Sequence, residues 1–503
     1  MRHTLPRMTS ASSDDPSADV RRALGAFDVA LRASKNARSN PASSEDERAS
    51  SAARACVDAL MQSSARVRVD AVDWWRAVDA CAEEGASGRA FGVWVMAAHA
   101  RGAVAAARER GSGGAGAADA DASEDAATGE ARAAIEAWER EMDVAFVARA
   151  VEMLASGRWC EEDGSEAEVA DVARGASELW GRGRGGDADG RTCAEAIRAA
   201  RARALAGREG CVTPYDAALL RVCLKAKAYD VAVESGALDA NALEVDTRAG
   251  VDALDYVSRC YYGGRMWLVL GRYDEAVRWL GDAVAVPGTA LSAVSAAAYK
   301  KYVLATLLSR SEKTRADTLP SGASNAMNRF ASSRELEAYS DLVRVMSRNS
   351  LDELNATTEK HAATYEADGN VGLVRLLRER VQIARVRALV KTYSKLKLVD
   401  VARLLELPSA EDAREMLVGM ASRGDVAARI DDAAGVAEFT HAAEVTRYGD
   451  LQAELNRRLR ASTALDAKIR EENAKILQSR AYVQRVLSEG KKAAQTTRVD
   501  SSN

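Results

Sequence analysis

The sequence predicts an all-α protein: a solenoid of paired helices, then a small winged helix whose wing is a β-hairpin, then one long terminal helix. Three observations lead there. The 503 residues include only seven prolines, so long stretches carry nothing that breaks a helix. Alanine, leucine, arginine and glutamate, all strong or good helix formers, recur throughout, and aromatic residues make up only 5%, too few for a β-rich sandwich or barrel. Apolar residues return at three- and four-residue spacing in segment after segment. At roughly 150 residues per domain, the length allows about three packing units.

The elements follow in order. Residues 1–15 are polar and predict a disordered tail, and residues 16–370 a helical-repeat domain. A polar patch, Asn36 to Ser50, separates two weak helical patterns. Within the repeat domain, residues 108–130 (RERGSGGAGAADADASEDAATGE) predict a flexible insertion, because small and acidic residues bury too little apolar area to offset ordering entropy. Gly181–Gly190 and Thr318–Asn325 read as shorter loops. Helices are expected over Val69–Glu84, Ala131–Ser156, Cys193–Ala206 and Pro214–Ser235. Helix pairs in series imply a solenoid. The sharpest pair is YGGRMWLVLGRYDEAVRWLGDAVAVP, Tyr262 to Pro287. There Gly264, Trp267, Gly271, Tyr273, Ala276, Leu280 and Ala283 fall where a tetratricopeptide-like repeat places its small and large residues. An ordinary helix hairpin would produce much of the same pattern.

Residues 371–440 change character. Val371–Leu396 predicts a long helix and Val399–Glu406 a short one; after Pro408, Ser409 is the N-cap of a third that runs to Ser422 and stops at Gly424. Two β-prone runs, Val426–Ile430 and Val436–Phe439, flank the turn DDAAG. Three helices and a hairpin make a winged helix, with Val401, Leu404, Leu405, Met416 and Leu417 as its core. Nothing else in the chain reads as strand. Residues 441–488 predict one long helix, with a second disordered tail at 489–503. Leu451, Leu455, Leu459, Leu465, Ile469, Ile476, Val483 and Leu487 keep to one face of it, since the 36 residues between the first and last are ten turns. A stripe that long, with no domain after it, is expected to pack against helices of other subunits, or else to fold back on its own solenoid.

Catalytic chemistry finds no foothold. The four histidines, His3, His99, His361 and His441, form no HxH or HExxH pair, and the seven cysteines (56, 81, 160, 193, 211, 223, 260) are scattered singly. Both facts argue against a metal site. Gly111–Gly116 lacks the GK[ST] of a phosphate loop, and carboxylates follow it closely. No GxSxG elbow occurs. Catalytic, cofactor-binding and metal-binding residues are therefore all expected to be absent. The most apolar stretch, Phe91–Ala107, contains His99 and Arg101 and fits no membrane span. No apolar run follows Arg2, His3 and Arg7 before Asp14 and Asp15, so no secretory signal is expected. The net charge of −4 removes any general attraction to nucleic acid. Eight basic residues (Arg375, Arg378, Arg380, Arg385, Arg387, Lys391, Lys395, Lys397) face only Glu379 in their segment. The helix that would enter a major groove, however, holds Glu411, Asp412 and Glu415 against one Arg414.

Six segments also carry a resemblance: TPYDAALLRVCLKAKAYDVAV from Thr213, YYGG (Tyr261–Gly264), AYKKYVLA (Ala298–Ala305), NVGLV (Asn370–Val374), LKLVDVARLLEL (Leu396–Leu407) and GVAEFTH (Gly435–His441). With them the chain resembles the PCI-domain family, the scaffolds of the proteasome lid, the COP-9 signalosome and a translation initiation factor complex. Within that family it is similar to the signalosome subunit 3 group, over residues 213–487. The resemblance implies a non-catalytic scaffold, since the signalosome's isopeptidase needs a zinc site with paired histidines. It implies partners among other PCI and MPN subunits and, indirectly, cullin-RING ubiquitin ligases, from which that complex removes NEDD-8. It implies winged helices paired edge to edge, with Val426, Ile430, Val436 and Phe439 as sheet-edge contacts, and a helical bundle built from the C-terminal stripe. No cofactor, nucleic acid or membrane is expected, and the location is cytoplasm and nucleus. The alternatives are a scaffold of the lid or initiation factor complex and, from another class, a winged-helix nucleic-acid-binding protein.

Overall fold

The computed structural model describes residues 71–480 except 83–85, 113–125, 158–165, 187, 207–209, 241, 243, 246–249, 288–290, 310–318, 321–322, 424, 433 and 440–447; residues 20, 21, 23, 57, 60 and 484 are also described. The chain forms two compact units, residues 1–381 and 382–503.

In the first unit, helices α1 (Ala71–Ala82), α2 (Ala86–Ser112), α3 (Ala126–Ser156), α4 (Glu166–Gly181) and α5 (Gly190–Ala204) precede α6 (Pro214–Ala226), α7 (Tyr229–Glu234), α8 (Ala253–Val269), α9 (Tyr273–Ala285) and α10 (Ala293–Leu308). Helices α2, α4, α6, α8 and α10 pack side by side in one layer, and α3 and α5 pair in a second. Alanine and glycine at the crossings let backbones approach. At Gly175 of α4 a Cβ would lie 2.4 Å from that of Ala100 on α2. The helices occupy part of the expected insertion 108–130: α2 continues to Ser112 and α3 begins at Ala126. The remaining 113–125 lies outside the described residues.

The expected helix Pro214–Ser235 is two helices. Lys227 adopts a left-handed conformation (φ 57°), and the Ala228 amide donates to the Cys223 carbonyl, closing α6 before α7 begins. No glycine or proline marks that break. A two-residue parallel pair, β1 (Cys211–Val212) with β2 (Glu244–Val245), is a further departure from the all-helical expectation. Around it the TPYD segment is held by one carboxylate. Asp216 accepts the Thr213 amide at 2.8 Å and a bond from Arg201 Nε, with Arg259 Nε at 3.7 Å. Arg201 also donates to the Ser235 carbonyl and Arg259 to that of Asp239, at 2.6 and 2.8 Å. Arg259 lies 4.5 Å over the Trp279 ring. One buried acid thus ties α5, α6, α8 and the 235–239 turn together.

Helices α8 and α9 form the predicted repeat pair. Gly264 lies against Leu280, where a Cβ would come within 2.6 Å of its Cγ, and Gly271 (φ 71°) makes the turn. Ala276, Leu280 and Ala283 are fully buried, and Trp267 and Tyr273 are half-buried. Sequence reasoning left out Gly263, whose Cβ would meet Trp279 at 2.4 Å.

Beyond α10 come α11 (Asn325–Ala331), α12 (Glu337–Arg348), α13 (Leu351–Lys360), α14 (Ala362–Ala367) and α15 (Val371–Thr392). AYKKY and NVGLV meet here. Lys301 donates to Asn370 Oδ1, Asn370 Nδ2 to the Tyr339 hydroxyl at 2.7 Å, and Tyr339 to Asp368 at 2.6 Å; Lys300 donates to the other Asp368 oxygen at 2.6 Å. The chain of bonds fixes the entry to α15.

The second unit takes up the rest of α15, then β3 (Lys395–Lys397), α16 (Leu398–Leu405), α17 (Ala410–Ser422), β4 (Ala428–Asp431), β5 (Val436–Phe439) and α18 (Tyr448–Gln478). Ser409 caps α17 by accepting the Asp412 amide at 3.1 Å, as its position predicts; Gly424 lies outside the described residues. The expected helix Val371–Leu396 ends at Thr392, and its last residues form a strand. Leu396 turns inward between exposed Lys395 and Lys397, a period of two that three residues are too few to announce. The antiparallel sheet has order β3-β5-β4, with Leu396 and Ile430 both opposite Ala437. Val401, Leu405, Leu417, Val426 and Phe439 are buried, and Met416 packs against them. Leu404, expected in this core, is 40% exposed, because Leu398, Val401, Ala402 and Leu405 define the buried face of α16 and Leu404 falls off it.

Candidate assembly surfaces

The wing is the first candidate, and its geometry corrects the sheet-edge assignment. Strand β5 is central, with β3 on one side and β4 on the other, so Val436 and Phe439 do not lie on an edge. Phe439 and Val426 are buried in the unit's own core. Ile430 is on an outer strand but its side chain packs on that core. Among the described residues the outer strands are β3 and β4. The β-prone run Val436–Phe439 signals strand, but position within a sheet depends on pairing with β3, which is distant in sequence.

The terminal helix is the second candidate. On α18 the side chains of Leu455, Leu459, Leu465, Ile469 and Ile476 are 41–56% exposed, and Leu477, outside the predicted stripe, is 58% exposed. Leu451 falls on the helix; Val483 and Leu487 lie outside the described residues. The helix carries its own surface pairs, Arg470 with Asp466 at 2.7 Å and Lys475 with Glu471 at 2.8 Å. Such pairs support a helix by a few tenths of a kcal/mol each. Exposed apolar residues also occur around the winged helix, with Val399 at 67%, Val418 at 45% and Tyr393 at 41%.

The nucleic-acid reading loses its one basic contact. Arg414, the single basic residue within α17, donates from Nε and Nη2 to Asp432 at 2.6 and 3.1 Å and from Nη1 to Glu411 at 3.2 Å. The bond from Arg414 holds the Asp432 carboxyl below its ordinary range. Of the eight basic residues upstream, Arg380, Arg385, Arg387 and Lys395 are spent on Ser309, Glu406, Asp425 and Glu438.

The described histidines and cysteines are taken up in pairing and packing. His99 Nε2 lies 3.0 Å from Asp143, with its ring 5.7 Å from that of Trp75 and 4.9 Å from that of Phe146. Burial works to raise the Asp143 carboxyl, but bonds from His99 and Arg184 outweigh it and hold the group low. His361 pairs with Asp341 at 3.0 Å. His3 and His441 lie outside the described residues. Cys193, Cys223 and Cys260 are buried free thiols, and burial pushes each of them up to about 12. Thiols so poorly ionised are weak nucleophiles and ligands. Among the described residues, no group of histidine, cysteine and acidic side chains could hold a metal, and no helix is long and apolar enough to cross a membrane.

Comparison with known proteins shows what this architecture is similar to. The family described as COP9 signalosome complex subunit 3, N-terminal helical repeats, matches residues 192–327, and the PCI domain matches residues 358–441. The first match spans α5 to α10 with the Asp216 cluster and the α8–α9 pair; the second takes in α15 and the winged helix. COP9 signalosome complex subunit 3 of Dictyostelium discoideum is 24% identical over 290 residues, which is 58% of this chain and 68% of that protein. The protein of the same description from Arabidopsis thaliana is 29% identical over 223 residues, 44% of this chain and 49% of the relative. Helical repeats and winged helix therefore point to the same relatives: the chain is similar to COP9 signalosome complex subunit 3 over its repeats and to the PCI domain over its winged helix.

Proposed function

We propose that this chain is a non-catalytic scaffold subunit of the COP-9 signalosome, the complex that removes NEDD-8 from cullin-RING ubiquitin ligases, acting in cytoplasm and nucleus. The observation that carries the reading is the stripe of α18. Five large apolar side chains on one face of a long helix stay exposed, and each would contribute roughly 1.5–3 kcal/mol if buried against partner helices. The solenoid then holds the winged helix and this helix for other PCI and MPN subunits to meet. Cullin-RING ligases are met indirectly, and neither nucleic acid nor membrane is a partner.

The test is affinity purification of the full chain against a variant with Leu455, Leu465, Ile469 and Ile476 all replaced by Asp. The wild-type chain should bring down signalosome subunits, and the variant should lose them while its repeats keep their helical signal. Survival of the partners in the variant sinks the bundle role. Partners from the proteasome lid or the initiation factor complex instead would replace the assembly named here.

A further inference from the structure

The helical repeats contain a cavity of about 480 Å³ that neither the scaffold role nor the α18 stripe uses. It lies within the first unit, walled by α2, α4, α6 and α8 and by the first turn of α10. Its apolar lining includes Val104, Ala217, Ala218, Leu254 and Val294, and its polar groups include Arg174, Glu178, Arg221 and Tyr262. That size and mixture fall in the range of ligand pockets, about 300–1,000 Å³ with mostly apolar walls and a few placed polar groups.

The hydrogen-bonding inventory shows what a ligand must bring. Arg174 is nearly saturated: Nε and Nη2 donate to Asp255 at 3.0 and 2.6 Å, Nη1 to Asp171 at 2.6 Å, and Nη2 also to the Gly250 carbonyl at 3.1 Å. Both oxygens of Glu178 are taken, one by Arg182 at 2.9 Å and the other by Arg221. Burial works to raise the Glu178 carboxyl, and the bonds from Arg221 and Arg182 overcome it. The acid therefore stays ionised and occupied. Arg221 is different. Only its Nη1 is engaged, so among the described residues Nε and Nη2 donate to nothing. The Tyr262 hydroxyl is likewise without a hydrogen bond among the described residues, and it lines the same pocket as Arg221. The carboxylates of the pocket are spent and its unspent groups are donors.

We infer that this pocket binds a peptide segment of a partner protein, presenting a bulky apolar side chain beside a carboxylate. The side chain fills the space over Ala217, Leu254 and Val294. The carboxylate accepts from the free guanidinium nitrogens of Arg221 and from the Tyr262 hydroxyl, a charge-assisted pairing. The pocket is lined by side chains of α2, α4, α6 and α8, and exposed Ala293 at its α10 end marks where a bound chain would meet solvent. The inference is independent of which complex the chain joins.

The experiment titrates the purified full chain by ligand-observed NMR with two carboxylate probes, N-acetyl-phenylalanine for a chain terminus and N-acetyl-Phe-Asp-amide for an acidic side chain. N-acetyl-phenylalaninamide is the uncharged control. At least one carboxylate probe should bind about tenfold more tightly than the amide, since hydrogen bonds to a charged group exceed neutral ones by about that factor. Which of the two binds tells a terminus from an internal acid. R221Q should remove the preference for the carboxylate, Y262F should weaken it, and A293W, a change at an exposed residue, should block all probes with an unchanged melting curve. Equal binding of amide and carboxylate, binding that survives both R221Q and A293W, or no binding by any probe would each overturn the inference.

Discussion

The α8–α9 pair and α18 are written in the same periodicity and end in opposite surroundings. In the pair, Ala276, Leu280 and Ala283 are fully buried. On α18, Leu465 and Ile469, spaced in the same way, are 41% and 51% exposed. What separates them is the small residues. Gly263 and Gly264 leave hollows that Trp279 and Leu280 occupy, so the pair carries both the projections and the spaces to receive them. The described part of α18 after Gly449 has no glycine, and its charges pair along its own length. Apolar spacing says which face of a helix avoids water; complementary small residues say whether the same chain supplies the cover.

The comparison breaks most readily at its most buried point. Replacing Asp216 by Ala leaves Arg201 and Arg259 buried together without their shared carboxylate. Removing one partner of a buried ion pair costs about 3–5 kcal/mol, and urea unfolding of the first unit should show a loss of that size. A loss below about 1 kcal/mol would mean that the cluster is solvated in solution. Next comes Leu280→Ala. Leu280 is fully buried against Gly264, and truncation of such a leucine costs about 2–5 kcal/mol. The same urea titration reads it.

These two sites also mark what was legible in the sequence. Helix spacing and the Ser409 cap are local signals, and the structure places each where its chemistry predicts. The break at Lys227 carries no local sign, because a lysine in a left-handed conformation is chosen by how α6 and α7 must pack. The strand Lys395–Lys397 exists only because β5, some forty residues later, satisfies its backbone. That same long-range pairing placed Val436 and Phe439 at the sheet's centre. The pocket was illegible for a related reason: its lining comes from five helices, and no short motif holds Arg221 and Tyr262 together.

A smaller effect should appear with pH. Burial, with Arg265 nearby, lowers Lys301 from 10.5 to about 8, although Asp368 works the other way. Between those values the folded state has released a proton that the unfolded chain still holds, so stability should rise with pH across that window. The limit is about 1.4 kcal/mol per pH unit. Lys301→Met, which keeps the bulk and removes the proton, should flatten the difference between urea midpoints at pH 8 and pH 10. Identical pH slopes in the two proteins would show that Lys301 is charged and solvated across the window.

The smallest expected effect is the most discriminating. Leu465→Ala repeats on α18 the truncation made at Leu280, yet Leu465 is 41% exposed and contributes little burial within this chain. Alanine is at least as good a helix former as leucine, so the change in stability should stay within about 0.5 kcal/mol. Calorimetry of the isolated chain checks it. A loss of 2 kcal/mol or more would mean that the stripe folds back on its own protein, and the proposed bundle would lose its support. An unchanged melting curve, together with loss of partners in the four-Asp variant, separates the two regions as the comparison requires: one buries its apolar face within the chain, and the other keeps its face for neighbours.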